Sequence, residues 1–306
     1  MRFVVLMIGV LSCSFSAELS AQDAKASVSD ITQSLKDTEA EIRTLSVTSS
    51  FDILHRYMPG EDYQEIQLTA KEEVAVDSEG RCRVKADTES FRKLNGGIEK
   101  TPQLSIGVFD GQAARSMTGK TRMAHGIVSS SRSDLEFRLD PRNVTTHYFF
   151  KPVSSMLEKR GADIVEETMW DGRPVIVIET KPHEGEDRRK SRFYVDPDRN
   201  FTVVRRAVAV QYPPHERWME YTRIEGFDHK EVYPGVWLPS RVVHESFDPT
   251  VEHAVNGSEP PLSWRWNVKL SHWKVNAELP PSTFALEFSP GVYVNDRVTG
   301  QSYQAR

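Results

Sequence analysis

Apolar residues recur along this chain at two spacings. Ile31, Leu35, Thr38, Ile42 and Leu45 return every three or four positions, with Lys36, Asp37, Glu39 and Glu41 on the other side. That spacing predicts one amphipathic helix near the N-terminal end. Asp30 stands where an N-cap belongs, and Gln33 three residues later completes a capping-box pattern. From Leu45 the period falls to two. Leu45, Val47, Ser49, Phe51 and Ile53 alternate with Ser46, Thr48, Ser50 and Asp52, as a half-buried strand requires. The same alternation carries Ile66, Leu68, Ala70, Val74 and Val76. It resumes in Cys82, Val84 and Ala86 after the turn Asp77-Ser78-Glu79-Gly80. Leu104 to Phe109 reads as a further strand, ended by Asp110-Gly111 as a turn.

Between about 112 and 161 the alternation is lost, and Gly, Ser, Arg and Thr are frequent up to Ser133. This region reads as irregular turns and short helices lying over the sheet. Val153 to Arg160, closed by Gly161, is the clearest such helix, with Tyr148-Phe149-Phe150 just before it. Strands then return: Ile164 to Met169 and Pro174 to Thr180 flank the hairpin signal Trp170-Asp171-Gly172-Arg173. Glu184 to Arg192 is a charged stretch expected as a solvated loop. Phe193-Tyr194-Val195, a turn over Asp196 to Asn200, Phe201 to Tyr212, Trp218 to Phe227, Val236 to Phe247 and Trp264 to Val275 complete the series. Ten or more strands with short turns and few crossover helices predict an α+β chain that is mainly antiparallel β, strongly curved. No Pro-, Gly- or Ser-rich linker divides it, so residues 22–306 are expected as one domain.

The first residues change the picture. Arg2 precedes Phe3 to Leu11, a short apolar core followed by small and polar residues up to Ala21. This is the layout of a secretory signal peptide over residues 1–21, and it is too short to span a bilayer. It predicts a periplasmic or otherwise exported protein without a transmembrane span. Val10-Leu11-Ser12-Cys13 also loosely resembles a lipobox, in which Cys13 would carry a lipid anchor; the plainer reading discards Cys13 with the signal. Cys82 is then the sole remaining cysteine, so no internal disulfide forms and stability rests on the core. The 38% hydrophobic and 27% charged content fits a globular chain, and a net charge of −5 argues against nucleic acid as a partner.

Candidate chemistry is sparse. The nine histidines are scattered, with no His-x-x-x-His helix and no paired cysteines, so no metal site and no cofactor are expected. His244 and His253 flank Asp248 and Glu252, which keeps open an exported hydrolase using acidic and His residues of the C-terminal loops. No nucleophile elbow and no phosphate-cradling glycine loop appear. Aromatic residues are more informative. Trp218, Tyr221, Trp237, Trp264, Trp266 and Trp273 all fall on the C-terminal strands, and Trp264 and Trp266 share a face of an extended run. Such residues either fill the core of a wide sheet or line an apolar cavity.

Several short motifs then fall into a pattern. One amphipathic helix opens the exported chain, Phe109-Asp110-Gly111 closes a strand, and short helical segments interrupt the middle. Phe193-Tyr194-Val195-Asp196-Pro197 and Gly235-Val236-Trp237-Leu238-Pro239 follow, and Phe288-Ser289-Pro290-Gly291-Val292 runs through Asp296 to Thr299-Gly300. This arrangement resembles the periplasmic lipoprotein-carrier superfamily of LolA/LolB-like proteins, in its larger bacterial members. The resemblance implies an incomplete antiparallel barrel, or half-barrel, with helices as a lid over an apolar cavity for a lipid or lipoprotein acyl chain, and no catalytic residues. Added loops near 112–140 and 248–262 depart from the simple carriers. Cavity candidates are the apolar alternating positions Val47, Phe51, Ile66, Leu68, Val84, Val177, Val195, Trp264 and Trp266. Besides the carrier or sensor role and the hydrolase, a non-catalytic module that binds envelope proteins remains open.

Overall fold

The computed structural model describes residues 26–57, 64–94, 97–119, 124–135, 142, 147–148, 151–183 and 188–306. The expected signal segment with Cys13, the pair Phe149-Phe150 and positions 184–187 of the charged stretch lie outside the described residues. The amphipathic spacing forms α1 (Val28–Glu41), with Ile31, Leu35 and Thr38 buried. Its cap differs from the expected one. Ser27 is the N-cap: its hydroxyl accepts from the Asp30 amide, and the Asp30 carboxylate accepts from the Ser27 amide at 2.9 Å. Gln33 instead donates to Asp37 one turn on. Ile42 is the C-cap, and Leu45 already belongs to the next strand.

β1 (Thr44–Tyr57), β2 (Gln64–Asp77), β3 (Cys82–Leu94) and β4 (Gly97–Phe109) form the antiparallel meander that alternation predicts. β5 (Ala114–Thr118) and β6 (His125–Ser129) extend it, where irregular turns were expected. Their alternation is weak because their cover comes from far along the chain: Val128 packs with Val292 and Val294 near the C-terminus. A short pair, β7 (His147–Tyr148) and β8 (Lys151–Pro152), leads into α2 (Val153–Arg160), which Gly161 closes at φ 71°. β9 (Ala162–Trp170) and β10 (Arg173–Thr180) turn through Asp171 and Gly172, both at positive φ, as a tight hairpin demands. β11 (Arg188–Asp196), β12 (Thr202–Gln211) and β13 (Met219–Phe227) follow.

The apolar run from Val236 to Phe247 is two strands rather than one. β14 (Lys230–Tyr233) pairs with β15 (Val236–Leu238) as a separate hairpin, and β16 (Arg241–Phe247) rejoins the sheet beyond Pro239, whose missing N–H interrupts a ladder. α3 (Val251–Asn256), β17 (Leu262–Val275), β18 (Tyr293–Asp296) and β19 (Gln301–Gln304) end the chain.

Fifteen strands make one sheet, in the order β19-β18-β6-β5-β4-β3-β2-β1-β17-β16-β13-β12-β11-β10-β9. Every neighbouring pair is antiparallel except β18 with β6. β19 and β9 are its two free edges, so the sheet is open and curved, of half-barrel type, with the α+β, mainly antiparallel character expected. Its seam is β1 on β17, which joins the two ends of the chain.

The helices sit on one face, called inner below. Ile31 and Leu35 of α1 and Val153 and Leu157 of α2 pack against Ile178, Phe193, Val195 and Val203 of the sheet. Further along the same face, Phe51, Ile66, Val74, Val84, Val242 and Val268 form a larger cluster, onto which the β14–β15 hairpin presses Val236 and Leu238. Burying each such side chain contributes about 1.5–3 kcal/mol. Among the described residues no helix is long and apolar enough to cross a membrane.

Candidate functional site: an aromatic and apolar strip on the inner face

Residues directly opposite one another in an antiparallel pair share a face, so register reads straight across the sheet. In one row His244 opposes Trp266, Trp266 opposes Ile53, and Ile53 opposes Leu68. The next row runs Ser246, Trp264, His55, Ile66. The row on the other side runs Val242, Val268, Phe51, Ala70. Three strands, two near the start of the chain and one more than 180 residues later, thus gather Phe51, Ile66, Leu68, Trp264 and Trp266 into one patch. Phe51, Ile66 and Leu68 are buried, whereas Trp264 and Trp266 are half-buried.

The other candidates fall elsewhere. Val47 and Val84 lie on the same face, farther along, where each opposes Val74. Val195 is also inward but sits under α1 and α2. Val177 points the other way. Ile176 and Ile178 oppose Val195 and Phe193, so Val177, opposite Tyr194, is buried against the outer face. Pro174 to Ile178 is apolar at every position, and such a run assigns no face to any one residue.

The two indoles stack, with centroids 4.5 Å apart and planes at 24°. The His244 ring stands nearly perpendicular to both, 4.5 Å from Trp264 and 5.2 Å from Trp266. Phe51 meets Trp266 edge-on at 6.2 Å. Offset and edge contacts of this kind add about 0.5–1.5 kcal/mol per pair beyond area burial. The sequence marks His244 only by its acidic neighbours Asp248 and Glu252; its place in this strip comes from the register of β16 against β17.

His244 carries the polarity of this strip. Its Nε2 lies 3.2 Å from the Thr222 hydroxyl, which donates to the Glu245 carbonyl at 2.8 Å. Its Nδ1 is buried with no hydrogen-bond partner. Burial, helped by the positive Arg206, pushes the imidazole down to about 3, so it is neutral at physiological pH. Arg206 itself is buried on the same face, two strands away through Ile224. A neutral ring set edge-on against two stacked indoles suits an apolar ligand better than proton transfer, which needs a group that titrates near the working pH.

The C-terminal histidines do not converge. The Nδ1 of His253 is taken by the amide and hydroxyl of Thr250 in a cap of α3. Among the described residues no three His, Cys, Asp or Glu side chains are grouped to hold a metal ion. Cys82 is buried on the inner face between Val76 and Phe109, as a small core residue would be.

No family model matches the sequence. No curated protein matches it either. Among solved structures, the chain is similar to a DUF1329 family protein from Desulfovibrio piger, with a TM-score of 0.44 and 11% identity over 84% of this chain and 95% of that one. It is also similar to a "putative outer membrane lipoprotein-sorting protein domain" from Vibrio parahaemolyticus, with a TM-score of 0.43 and 11% identity over 83% of this chain and 94% of that one.

Proposed function

We propose that the protein is an exported carrier or sensor that holds a lipid or lipoprotein acyl chain against the inner face of its open sheet. The observation that carries this reading is the continuity of the strip: half-buried Trp264 and Trp266 lead into buried Phe51, Ile66 and Leu68 on adjacent strands. An acyl chain needs apolar surface along its length and little polar chemistry. Burying it gains about 0.8 kcal/mol per CH₂, so a dozen methylenes supply roughly 10 kcal/mol before the entropic cost of binding. The β14–β15 hairpin, whose Val236 and Leu238 pack onto the same cluster as Phe51, Ile66 and Leu68, would serve as the movable cover. The resemblance of the sequence motifs to lipoprotein carriers points the same way.

Mass spectrometry of an organic extract from the gently purified mature protein tests the proposal. A stoichiometric acyl-bearing lipid is the expected result. An extract without lipid, together with no binding of an added fatty acid to the folded protein, would contradict it.

A further inference from the structure

The outer face of the same strands holds a second feature, unrelated to acyl binding. Thr48 opposes Glu73, and Glu73 opposes Lys85; Ser46 opposes both Lys274 and Ala75, and Ala75 opposes Arg83. Between Ser46 and Thr48 the pairing with β17 slips by a β-bulge, and β17 passes through His272 in the left-handed region at φ 55°. A bulge bends its strand and opens the ladder. Here it leaves a depression of about 460 Å³, lined by Thr48, Glu73, Arg83, Lys85, His272 and Lys274 among others.

The charges in this depression do not cancel. Arg83, Lys85 and Lys274 are three cations against the single carboxylate of Glu73. Farther along this face, toward β12, β13 and β16, arginines are matched: Glu245 takes both Arg223 and Arg265, and Glu225 lies beside Arg205. Lys85 and Lys274 are exposed and make no ion pair among the described residues. Arg83 is held from behind by the tail, its Nη1 donating to the Thr283 and Ala285 carbonyls at 3.4 Å each. Those neutral acceptors orient the guanidinium without offsetting its charge. One row away, Lys269 opposes Ser50 and extends the positive field, while Lys71 in the same row faces Asp87. All this stands on a chain of net charge −5.

Like charges gathered in a concave site repel one another and focus a potential that attracts an anion. Lysine ammonium groups serve phosphate as mobile point charges, and one arginine adds a planar fork for its oxygens. Hydroxyls of Ser46 and Thr48 stand beside them as further donors. The volume exceeds that of a bare phosphate and suits a group of headgroup size. We infer that this depression is a binding site for a phosphate-bearing molecule, on the face of the sheet opposite the acyl strip.

Two probes distinguish the source of the phosphate. Inorganic phosphate and sn-glycerol 3-phosphate are titrated into the mature protein and followed by the ring resonances of His272. Vesicles of phosphatidylglycerol in phosphatidylcholine are assayed by flotation at two salt concentrations. Saturable binding of the soluble phosphates marks a small-molecule site, and flotation without it marks a lipid headgroup; either supports the inference. In both cases the double variant Lys85→Gln/Lys274→Gln should weaken binding at least tenfold, with an unchanged circular dichroism spectrum. The control Lys159→Gln/Lys230→Gln, which makes the same change of net charge elsewhere, should leave it intact. No saturable response to either probe, or equal loss in the two variants, would overturn the site.

Discussion

The two faces of β17 differ one residue at a time. Trp264, Trp266, Val268 and Leu270 look inward onto the aromatic strip, while Arg265, Asn267 and Lys269 look outward among charges. The strand's period of two keeps these chemistries apart across a single layer of backbone. The inner face gains its stability from area removed from water. On the outer face, buried charge is paired where Glu245 holds Arg223 and Arg265, whereas the depression beside the bulge gathers three cations around one carboxylate. Glu245 shows the satisfied case: its carboxylate, with 2% of the side chain exposed, accepts from Arg223 and Arg265 at 2.5 Å each. A substitution should therefore cost different amounts for different reasons on the two faces.

The largest effect is expected inside. Phe51→Ala removes a ring that is 2% exposed, and should cost about 3–5 kcal/mol in a urea denaturation. Glu245→Ala comes next, at about 1–2 kcal/mol, because it removes a buried carboxylate from two arginines, of which Arg223 keeps Glu220 and Glu225 and Arg265 is 42% exposed. Lys85→Gln, exposed and without an ion pair, should change stability by less than about 0.5 kcal/mol. Equal costs for Glu245→Ala and Lys85→Gln would erase the contrast between matched and unmatched charge on the outer face.

Acid sharpens the comparison. His244 is held down to about 3 and His229 to about 4, chiefly by burial. In the unfolded chain both protonate near the ordinary histidine value of about 6.5. The unfolded state thus binds protons that the native state refuses. Their contribution is fully present above that value and is lost as pH falls toward 3. Urea midpoints should drop between pH 7 and pH 4, and His244→Phe should flatten that slope. An unchanged slope would mean that the ring is hydrated rather than buried against the stacked indoles.

A smaller effect of opposite sign is expected where the helices meet. Glu39 of α1 accepts from the Ser154 hydroxyl of α2 at 2.7 Å, and burial raises its carboxyl to about 7. The native state therefore holds a proton that the unfolded chain releases near 4.5, so stability falls as pH rises from 4.5 to 7. Glu39→Gln should remove this loss and stabilise the α1–α2 contact at pH 8, with no effect below pH 4. Hydrogen exchange of the α2 amides would register it.

Much of the strand order was legible, because alternation survives wherever one face of a strand is apolar and the other is wet. β1, β2 and β3 are read correctly for that reason, and so is the aromatic pair of β17. Val177 was misplaced because its strand is apolar on both faces. β5 and β6 were hidden because residues from the C-terminal end cover them. The capping box slipped by three residues because Ser27 and Asp30 can each begin such a pattern. The cationic depression could not be read from the chain at all. Arg83 and Lys85 meet Lys274 and His272 only through the register of β1 between β2 and β17, and through a bulge that no local sequence announces.

The central claim is that an acyl chain lies along the inner strip. A fatty acid brominated on its chain quenches tryptophan fluorescence only at close approach, so quenching maps its position. Trp264→Phe/Trp266→Phe should abolish most of the quenching seen in the unaltered protein, while Trp218→Phe and Trp237→Phe should leave it. Saturable quenching that persists in the Trp264/Trp266 double variant, or none in the unaltered protein, would contradict the account.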